Sequence, residues 1–283
     1  MSIRYRNTSE VKIMKTKVNN RIEEITKKHE KLFIPFITAG DPTAEATIEI
    51  ALALEEAGAS ILELGIPYSD PLADGPTIQA ASKRALASGM TLEKAMYLVP
   101  IMRKKGLTIP VVIFTYYNPV LQYGVEHFVK KAKELEIDGL LVPDLPIEES
   151  EELSLLCAAN GLSLISLVAP TSKQRIEKIA EQAQGFLYCV SSLGVTGARE
   201  EIDPRVYDFL QTVKAVSEIP IAVGFGISNA KQVSLMNQYS DGVVVGSALV
   251  SEIEKLEQSL KSEKFRKDAL ISLKTFVTSL ISS

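Results

Sequence analysis

Eight short apolar segments alternate with helical segments from about residue 32 to the end of the chain. The predicted strands are residues 32–38, 60–66, 111–116, 139–142, 163–168, 186–191, 221–225 and 242–245. The helical patterns include residues 44–57, 91–105, 125–135, 147–160, 173–182, 204–217 and 230–239. Strands separated by helices pair in parallel through right-handed crossovers. Eight such units predict an α/β fold, the (β/α)8 or TIM barrel, with a doubly wound open sheet as the alternative because periodicity does not show closure.

The two ends of the chain differ from this repeat. Residues 11–31 are rich in Lys and Glu with few apolar positions, and they predict an extra N-terminal helix that closes the bottom of the barrel within a segment 1–31. Residues 251–283 continue the amphipathic pattern and predict the last outer helix. No linker or low-complexity segment interrupts the pattern, so we expect residues 1–283 to form a single domain.

Composition excludes several classes of partner. Hydrophobic residues at 46% and charged residues at 23% are ordinary for a globular protein, and the net charge of -4 gives no basic surface for nucleic acid. No apolar run reaches the roughly 18 residues that span a bilayer, and we expect no signal peptide. Cys157 and Cys189 lack CxxC spacing and fit a reducing cytoplasm. With two histidines, a multi-histidine metal site is not expected.

A glutamate interrupts the second predicted strand. Glu63 lies in the run Ile-Leu-Glu-Leu-Gly-Ile, where burial of a charged carboxyl costs several kcal/mol unless the group is paired or neutral. A buried carboxyl whose pKa is raised is suited to general acid–base catalysis. The alternative is a glutamate that is hydrogen-bonded within a core network. The loop that follows favours catalysis, because it carries Asp70 and Asp74 on a path that prolines restrict.

Glycine-rich turns follow the last three predicted strands. Glycines let backbone amides approach an anion, and barrel enzymes commonly bind phosphate after strands seven and eight. The Gly-rich turns are residues 191–198, 223–228 and 245–248, and the last two, after strands seven and eight, predict a phosphate site. The alternative is that the glycines only form tight turns. A dinucleotide fingerprint is disfavoured, because Gly224 and Gly226 are followed by no third glycine in register.

Other polar positions leave more than one interpretation open. Tyr188 in strand six either faces the site or is a core tyrosine with its hydroxyl satisfied. Asn118 and Asp144, on loops after strands three and four, are as readily turn formers or caps as ligand contacts. Cys157 on a helix is predicted to be a packing residue.

The segment LELGIPYSDPLADGPTIQ at residues 62–79 closely resembles the signature of tryptophan synthase alpha chains. Further matches follow in family order over nearly the whole chain. They are FIPFITAGDP at 33–42, VPDLPIEES at 142–150, GVTG at 194–197, VGFGIS at 223–228 and VVVGSAL at 243–249. The resemblance implies a (β/α)8 enzyme that cleaves indole-3-glycerol phosphate to indole and glyceraldehyde 3-phosphate. It also implies an alpha2-beta2 heterotetramer in which pyridoxal phosphate is bound by the beta chain, with no cofactor in this chain.

Family roles carry over at matching positions. The resemblance implies that Glu63 is the acid–base residue and that Asp74 interacts with the indole N–H. The implied substrate contacts are Tyr188, Phe36, Phe114, Leu141 and Thr196, the last on a loop that closes over Asp74. The implied phosphate site is Gly197, Gly224, Gly226, Gly246 and Ser247. Two departures affect loop closure and pocket shape: Ser192 stands where some members have Arg, and Pro143 stands where others have a small residue.

Three alternatives remain at this point. A different phosphate-using barrel enzyme is disfavoured, because such synthases commonly carry a catalytic Lys on an inner strand and none of the eight predicted strands contains a Lys. A non-catalytic partner subunit is disfavoured by the retained Glu63 and Asp74. The third is a standalone lyase of the same fold that releases free indole.

Overall fold

The computed structural model describes residues 20–190, 205–224 and 226–282. Its strands form a closed parallel barrel in the order β1 to β8, so the alternative of an open sheet is wrong. The strands are β1 Leu32–Thr38, β2 Leu62–Gly65, β3 Val111–Phe114, β4 Gly139–Leu141, β5 Ser163–Val168, β6 Leu187–Val190, β7 Ile221–Gly224 and β8 Gly242–Val245. All eight predicted strands are confirmed, three of them with the predicted bounds.

Helices surround the barrel. In the described part of the chain they are α1 Asn20–Lys28, α2 Ala44–Glu56, α3 Pro76–Ala87, α4 Leu92–Lys104, α5 Tyr117–Tyr123, α6 Val125–Glu134, α7 Glu151–Ala159, α8 Lys173–Gln182, α9 Arg205–Val216, α10 Ala230–Met236, α11 Ser247–Lys255, α12 Glu257–Lys261 and α13 Glu263–Ile281. Most of their apolar faces pack on the outward residues of the strands in one large core.

The N-terminal helix closes the barrel as the sequence predicts, within the part that is described. Ile22 on α1 is fully buried and packs against inward residues at the beginnings of strands, such as Leu32 and Ile61. An ideal Cβ on Gly139, the first residue of β4, would lie 3.2 Å from Cδ1 of Ile22. Ile22 therefore fills the bottom of the barrel and leaves the opposite end for a site.

Four predictions about helices need correction. The tail 251–283 is three helices, α11 to α13, because the chain bends around Leu256 and again at Ser262. Helices α3 and α5 were not predicted: α3 begins with Pro76, and Pro119 lies in the first turn of α5, where a missing N–H costs little. Helix α7 begins at Glu151 and not at residue 147, where the predicted helical pattern 147–160 begins.

Two loop residues, one of them the ambiguous Asp144, make structural contacts. The Glu148 carboxylate accepts two hydrogen bonds, at 2.6 and 3.1 Å, from the guanidinium of Arg175 on α8. The Asp144 Oδ1 accepts the N–H of Tyr117 at 2.9 Å, which satisfies a free donor at the beginning of α5. Both contacts fix loops at the top of the barrel.

Candidate active site

Glu63 lies inside the barrel between two neighbouring strands. On β2 it pairs with Phe36 of β1 and Val112 of β3, and its side chain faces inward like Ile61 two residues earlier. The residue is 2% exposed, and its Oε1 has no hydrogen-bond partner among the residues that the structure describes. The alternative of a glutamate satisfied by a core network is therefore not supported.

The surroundings of Glu63 favour its neutral form. Burial in the barrel raises the pKa of Glu63 to about 8, with a further contribution from the negative charge of Asp74. The carboxyl therefore carries a proton at neutral pH. A buried carboxyl in this state can donate its proton and then act as a base.

Asp74 is held at the barrel mouth by the loop that follows β2. The Tyr116 hydroxyl hydrogen-bonds to its carboxylate, and the same hydroxyl oxygen accepts the N–H of Ala73 at 3.0 Å. Nε2 of Gln79 donates to the Asp74 carbonyl at 2.8 Å. Burial raises the pKa of Asp74, and the bond from Tyr116 opposes this shift. The half-buried carboxylate is thus oriented by a partner that stabilises its charged form.

Aromatic side chains form one wall of the mouth. The rings of Phe36 and Phe114 meet edge to face at 5.6 Å between centroids, and Phe114 meets Tyr116 in the same way at 6.4 Å. Leu141 is fully buried beside Phe114, with which it pairs across β3 and β4. These inward residues form an apolar, largely aromatic wall, the kind of surface that packs against a flat aromatic group. The structure thus brings together the predicted pocket residues Phe36, Phe114 and Leu141.

The Phe36 ring explains why residue 65 is a glycine. An ideal Cβ on Gly65 would lie 2.4 Å from Cζ of Phe36, closer than any side chain allows. Gly65 follows Glu63 by two residues and faces the same way. The ring therefore lies over the strand directly above the Glu63 carboxyl.

Tyr188 lies on the far side of the same interior. An ideal Cβ on Gly224 of β7 would lie 2.6 Å from the Tyr188 hydroxyl, so this glycine leaves room for the tyrosine. Burial raises the pKa of Tyr188, and the negative charge that Glu63 carries when ionised raises it further. Tyr188 and Glu63 therefore face the same space, as the resemblance implies.

The glycines after β7 and β8 border a helix N-terminus. Gly246 precedes α11, whose first residue is Ser247, and no side chain caps this end of the helix. Gly226 after β7 has φ of +65°, a conformation that glycine adopts readily. Uncapped N–H groups and the helix dipole form a site for an anion. Thr196, Gly197 and Ser192 lie outside the described residues.

Sequence reasoning missed three residues around Asp74 and Glu63. Tyr116 follows Phe114 by two residues, so strand alternation could have placed it at the mouth. Gln79 holds the Asp74 carbonyl from the first turn of α3, a helix that was not predicted. Thr38, at the end of β1, is buried with a hydroxyl that has no partner in the described part of the chain.

Neither a metal cluster nor a membrane span is found in the described part of the chain. Within residues 20–190, 205–224 and 226–282, no three His, Cys, Asp or Glu side chains are grouped as metal ligands. None of the described helices combines the length and the apolar character that crossing a bilayer requires.

The comparisons with known proteins decide the family. The family model described as Tryptophan synthase alpha chain matches residues 22–277. This chain belongs to the tryptophan synthase alpha chain family. The alpha chain of Halalkalibacterium halodurans is 63% identical over 264 residues, covering 93% of this chain and 100% of the relative. That of Geobacillus kaustophilus is 61% identical over 249 residues, covering 88% and 93%.

Solved alpha chains share the fold. Tryptophan synthase subunit alpha of Legionella pneumophila superposes with a TM-score of 0.83 at 35% identity, covering 93% of this chain and 97% of the other. A chain of the tryptophan synthase complex of Pyrococcus furiosus gives 0.80 at 37% identity, covering 90% and 99%. The resemblance found in the sequence is confirmed, and so is the TIM barrel.

Proposed function

We propose that this alpha chain cleaves indole-3-glycerol phosphate to indole and glyceraldehyde 3-phosphate, with Glu63 as acid and base and Asp74 as the stabilising carboxylate. The observation that carries the assignment is the inward, buried carboxyl of Glu63. Burial, together with the negative charge of Asp74, raises the pKa of this carboxyl to about 8. It is a proton donor beside the aromatic wall formed by Phe36 and Phe114. The activity is that of a carbon–carbon lyase.

The retro-aldol reaction begins at C3 of the indole. Glu63 donates its proton to this carbon, which becomes tetrahedral and can release the glycerol side chain. The resulting Glu63 carboxylate then takes the proton from the hydroxyl on the adjacent carbon. As the oxygen forms a carbonyl, the electrons of the breaking carbon–carbon bond return to the indole ring. One carboxyl thus performs both transfers, and Glu63 ends in the protonated form in which it began.

Asp74 supplies the complementary charge. Protonation at C3 places positive charge near the indole nitrogen, and an ionised carboxylate held there stabilises it. The Tyr116 hydroxyl favours this ionised form, because its hydrogen bond opposes the rise that burial causes in the pKa of Asp74. The site thus favours the protonated form of Glu63 and the ionised form of Asp74. Opposed protonation preferences of this kind are typical of an acid–base pair.

The substrate phosphate is proposed to bind where β7 and β8 end. Gly224, Gly226, Gly246 and Ser247 are the described residues of this site, with Gly197 and Thr196 added by resemblance. The uncapped N-terminus of α11 provides N–H groups for the anion. Binding at the unreactive end of the substrate orients the reacting atoms, with Tyr188 between the two ends.

We further propose a beta-chain partner. One solved relative, 40% identical with a TM-score of 0.81, comes from the a2b2 complex of Pyrococcus furiosus. By analogy, this chain would form an alpha2-beta2 heterotetramer and pass indole to a beta chain that binds pyridoxal phosphate. We expect this chain to form a single domain and to act in the cytoplasm, in keeping with the proposed partnership with a beta chain. The reaction at Glu63 needs no cofactor from this chain.

Turnover of the purified chain tests the proposal. Incubation with indole-3-glycerol phosphate should release indole and glyceraldehyde 3-phosphate in equal amounts, and Glu63→Gln should lower kcat at least about 10²-fold. Glu93→Gln, at an exposed position on α4, is the control and should retain parent activity. Parent-like kcat in Glu63→Gln would refute the catalytic assignment.

A second experiment adds a beta chain and serine to the purified alpha chain. The beta chain should consume the indole. If free indole instead accumulates at an unchanged rate, the result would support a standalone lyase.

A further inference from the structure

A small apolar cluster joins two helices at the mouth of the barrel. It consists of buried side chains from one strand and two helices, namely Phe36 on β1, Ile78 and Ala81 on α3, and Val250 on α11. The cluster is separate from the large core between the helices and the strands. An ideal Cβ on Gly246, just before α11, would lie 3.6 Å from Cβ of Phe36, so the turn into α11 also packs on this residue. Helices α3 and α11 therefore meet at the side chain of Phe36.

Each of these two helices begins at a part of the candidate active site. Helix α3 begins at Pro76, two residues after Asp74, and Nε2 of Gln79 in its first turn donates to the Asp74 carbonyl at 2.8 Å. Helix α11 begins at Ser247, at the proposed phosphate site. Packed helices transmit a displacement as rigid elements. The distance between Asp74 and the phosphate site therefore depends on how α3 is placed against α11.

Arg84 connects the two helices behind this cluster. Its Nε and Nη2 donate to the two carboxylate oxygens of Asp41 at 2.8 and 3.0 Å, and its Nη1 donates to Oε1 of Glu254 at 2.6 Å. Arg84 lies one turn beyond Ala81 on α3, and Glu254 lies one turn beyond Val250 on α11. The guanidinium therefore joins α3, α11 and the loop that follows β1.

The contact with Asp41 is the stronger of the two. Asp41 is buried, and a planar guanidinium that makes two parallel bonds to a carboxylate is held in one orientation. Glu254 is half-exposed, so its bond to Arg84 contributes less. Asp41 follows β1, the strand that carries Phe36. Arg84 is thus fixed to the barrel at Asp41 and reaches α11 from there.

We propose that Arg84 is a positioning residue that fixes the distance between Asp74 and the phosphate-binding end of α11. The inference rests on the proposed function and deepens it. Arg84 is eight residues from Pro76, about 12 Å along α3, so it acts through the helices and not on the substrate. The substrate bridges the two points, with its indole at Asp74 and its phosphate at α11. A fixed distance therefore aligns the reacting atoms, and its loss lowers kcat.

The test compares ligands that occupy one end of the site with a ligand that occupies both. Glycerol phosphate and indole are the single-end ligands. Indole-3-propanol phosphate, which is the substrate without its two glycerol hydroxyls, is the joined ligand. In Arg84→Met the Kd of each single-end ligand should stay within about twofold of the parent, whereas the Kd of the joined ligand should rise about tenfold. The kcat should fall about tenfold as well.

Arg266→Met is the matched control. Arg266 on α13 also joins two helices, because its Nη1 donates to Oε1 of Glu49 on α2 at 3.2 Å. Its side chain is 14% exposed, against 19% for Arg84. Neither α13 nor α2 carries a residue of the proposed site. The kcat and the Kd of the joined ligand should therefore change less than about twofold in Arg266→Met, whatever the change in Tm.

Two further variants separate positioning from folding. Arg84→Met leaves the buried charge of Asp41 unpaired and should lower the Tm, whereas the double variant Asp41→Asn with Arg84→Met removes that charge and should recover part of the Tm. The losses of kcat and of affinity for the joined ligand should persist in the double variant. Glu254→Ala removes only the bond to α11, so it should fold like the parent and raise the Kd of the joined ligand about threefold.

Three results would overturn the proposal. The first is a double variant in which kcat recovers together with the Tm. The second is a parent-like Kd for the joined ligand in Glu254→Ala. The third is an Arg84→Met variant that keeps the parent kcat or weakens the single-end and joined ligands equally. A parent chain that binds the joined ligand no more tightly than glycerol phosphate would refute the proposed function instead.

Discussion

Glu63 and Asp74 are electrostatically coupled: after burial, the negative charge of Asp74 is the second cause that raises the pKa of Glu63 to about 8. The two residues reach the site by different routes. Glu63 is fixed by the barrel itself, whereas Asp74 depends on a loop that Tyr116 and Gln79 hold. The coupling makes the protonation of one residue depend on the charge of the other.

Removing the charge of Asp74 should impair the chemical step. Asp74→Asn keeps the size of the side chain but no longer stabilises the cation at the indole nitrogen, so kcat should fall roughly 10²–10³-fold. The affinity for glycerol phosphate, which lacks the indole, should be nearly unchanged. Asp70→Asn, in the exposed part of the same loop, serves as the control for isolated-chain turnover. A collapse of glycerol phosphate affinity in Asp74→Asn would show a structural role.

The raised pKa of Glu63 should appear in the stability of the fold. Between about pH 4.5 and pH 8 the folded chain binds a proton at Glu63 that the unfolded chain releases, so stability falls as pH rises through this window. The loss from one such group is at most about 1.4 kcal/mol per pH unit. Glu63→Gln cannot titrate, so its free energy of unfolding relative to the parent should increase with pH up to about 8. Urea titrations of both proteins measure this difference; a constant difference would contradict the raised pKa.

Tyr116→Phe should leave the Asp74 carboxylate less well oriented and less stabilised in its ionised form. The variant loses the hydroxyl that bonds the carboxylate and accepts the Ala73 N–H, so kcat/KM at neutral pH should fall roughly tenfold. Without that bond the pKa of Asp74 rises, and the ascending limb of the pH profile should move to higher pH. Tyr68→Phe is the control, because the Tyr68 hydroxyl accepts from Asn118 at 3.3 Å and its ring packs on Tyr116. If Tyr116→Phe and Tyr68→Phe have the same pH profile of kcat/KM, Tyr116 does not stabilise the Asp74 carboxylate.

The phosphate site predicts an effect on substrate affinity. Ser247→Ala at the beginning of α11 removes one hydroxyl next to the proposed anion, and KM should rise about five- to tenfold with kcat nearly unchanged. Ser251→Ala, one turn further along the same helix, should leave KM within about twofold. Equal KM values for the two variants would place the phosphate elsewhere.

Much of the fold follows from the sequence, because strand alternation and helical periodicity are local. The resemblance implies that Phe36 and Phe114 line the pocket of Glu63, and the structure brings these three residues into one interior. Helix α3 was missed because its short amphipathic pattern directly follows the proline-rich loop. The tail was predicted as one helix because its amphipathic pattern continues across the bend near Leu256.

The finer parts of the site depend on contacts between distant segments. The Tyr116 bond to Asp74 joins residues on separate βα loops, and no local pattern encodes it. The roles of Glu63 and Asp74 were inferred from the sequence, and they remain predictions that the geometry supports.

The most direct test of the central claim is the pH dependence of kcat/KM for the parent and Asp74→Asn. The parent should lose activity above about pH 8, where Glu63 ionises and can no longer donate its proton. In Asp74→Asn the neighbouring negative charge is gone, so the pKa of Glu63 falls and the descending limb should move to lower pH. A descending limb at the same pH in both proteins, or none in the parent, would contradict the coupled pair of carboxyls.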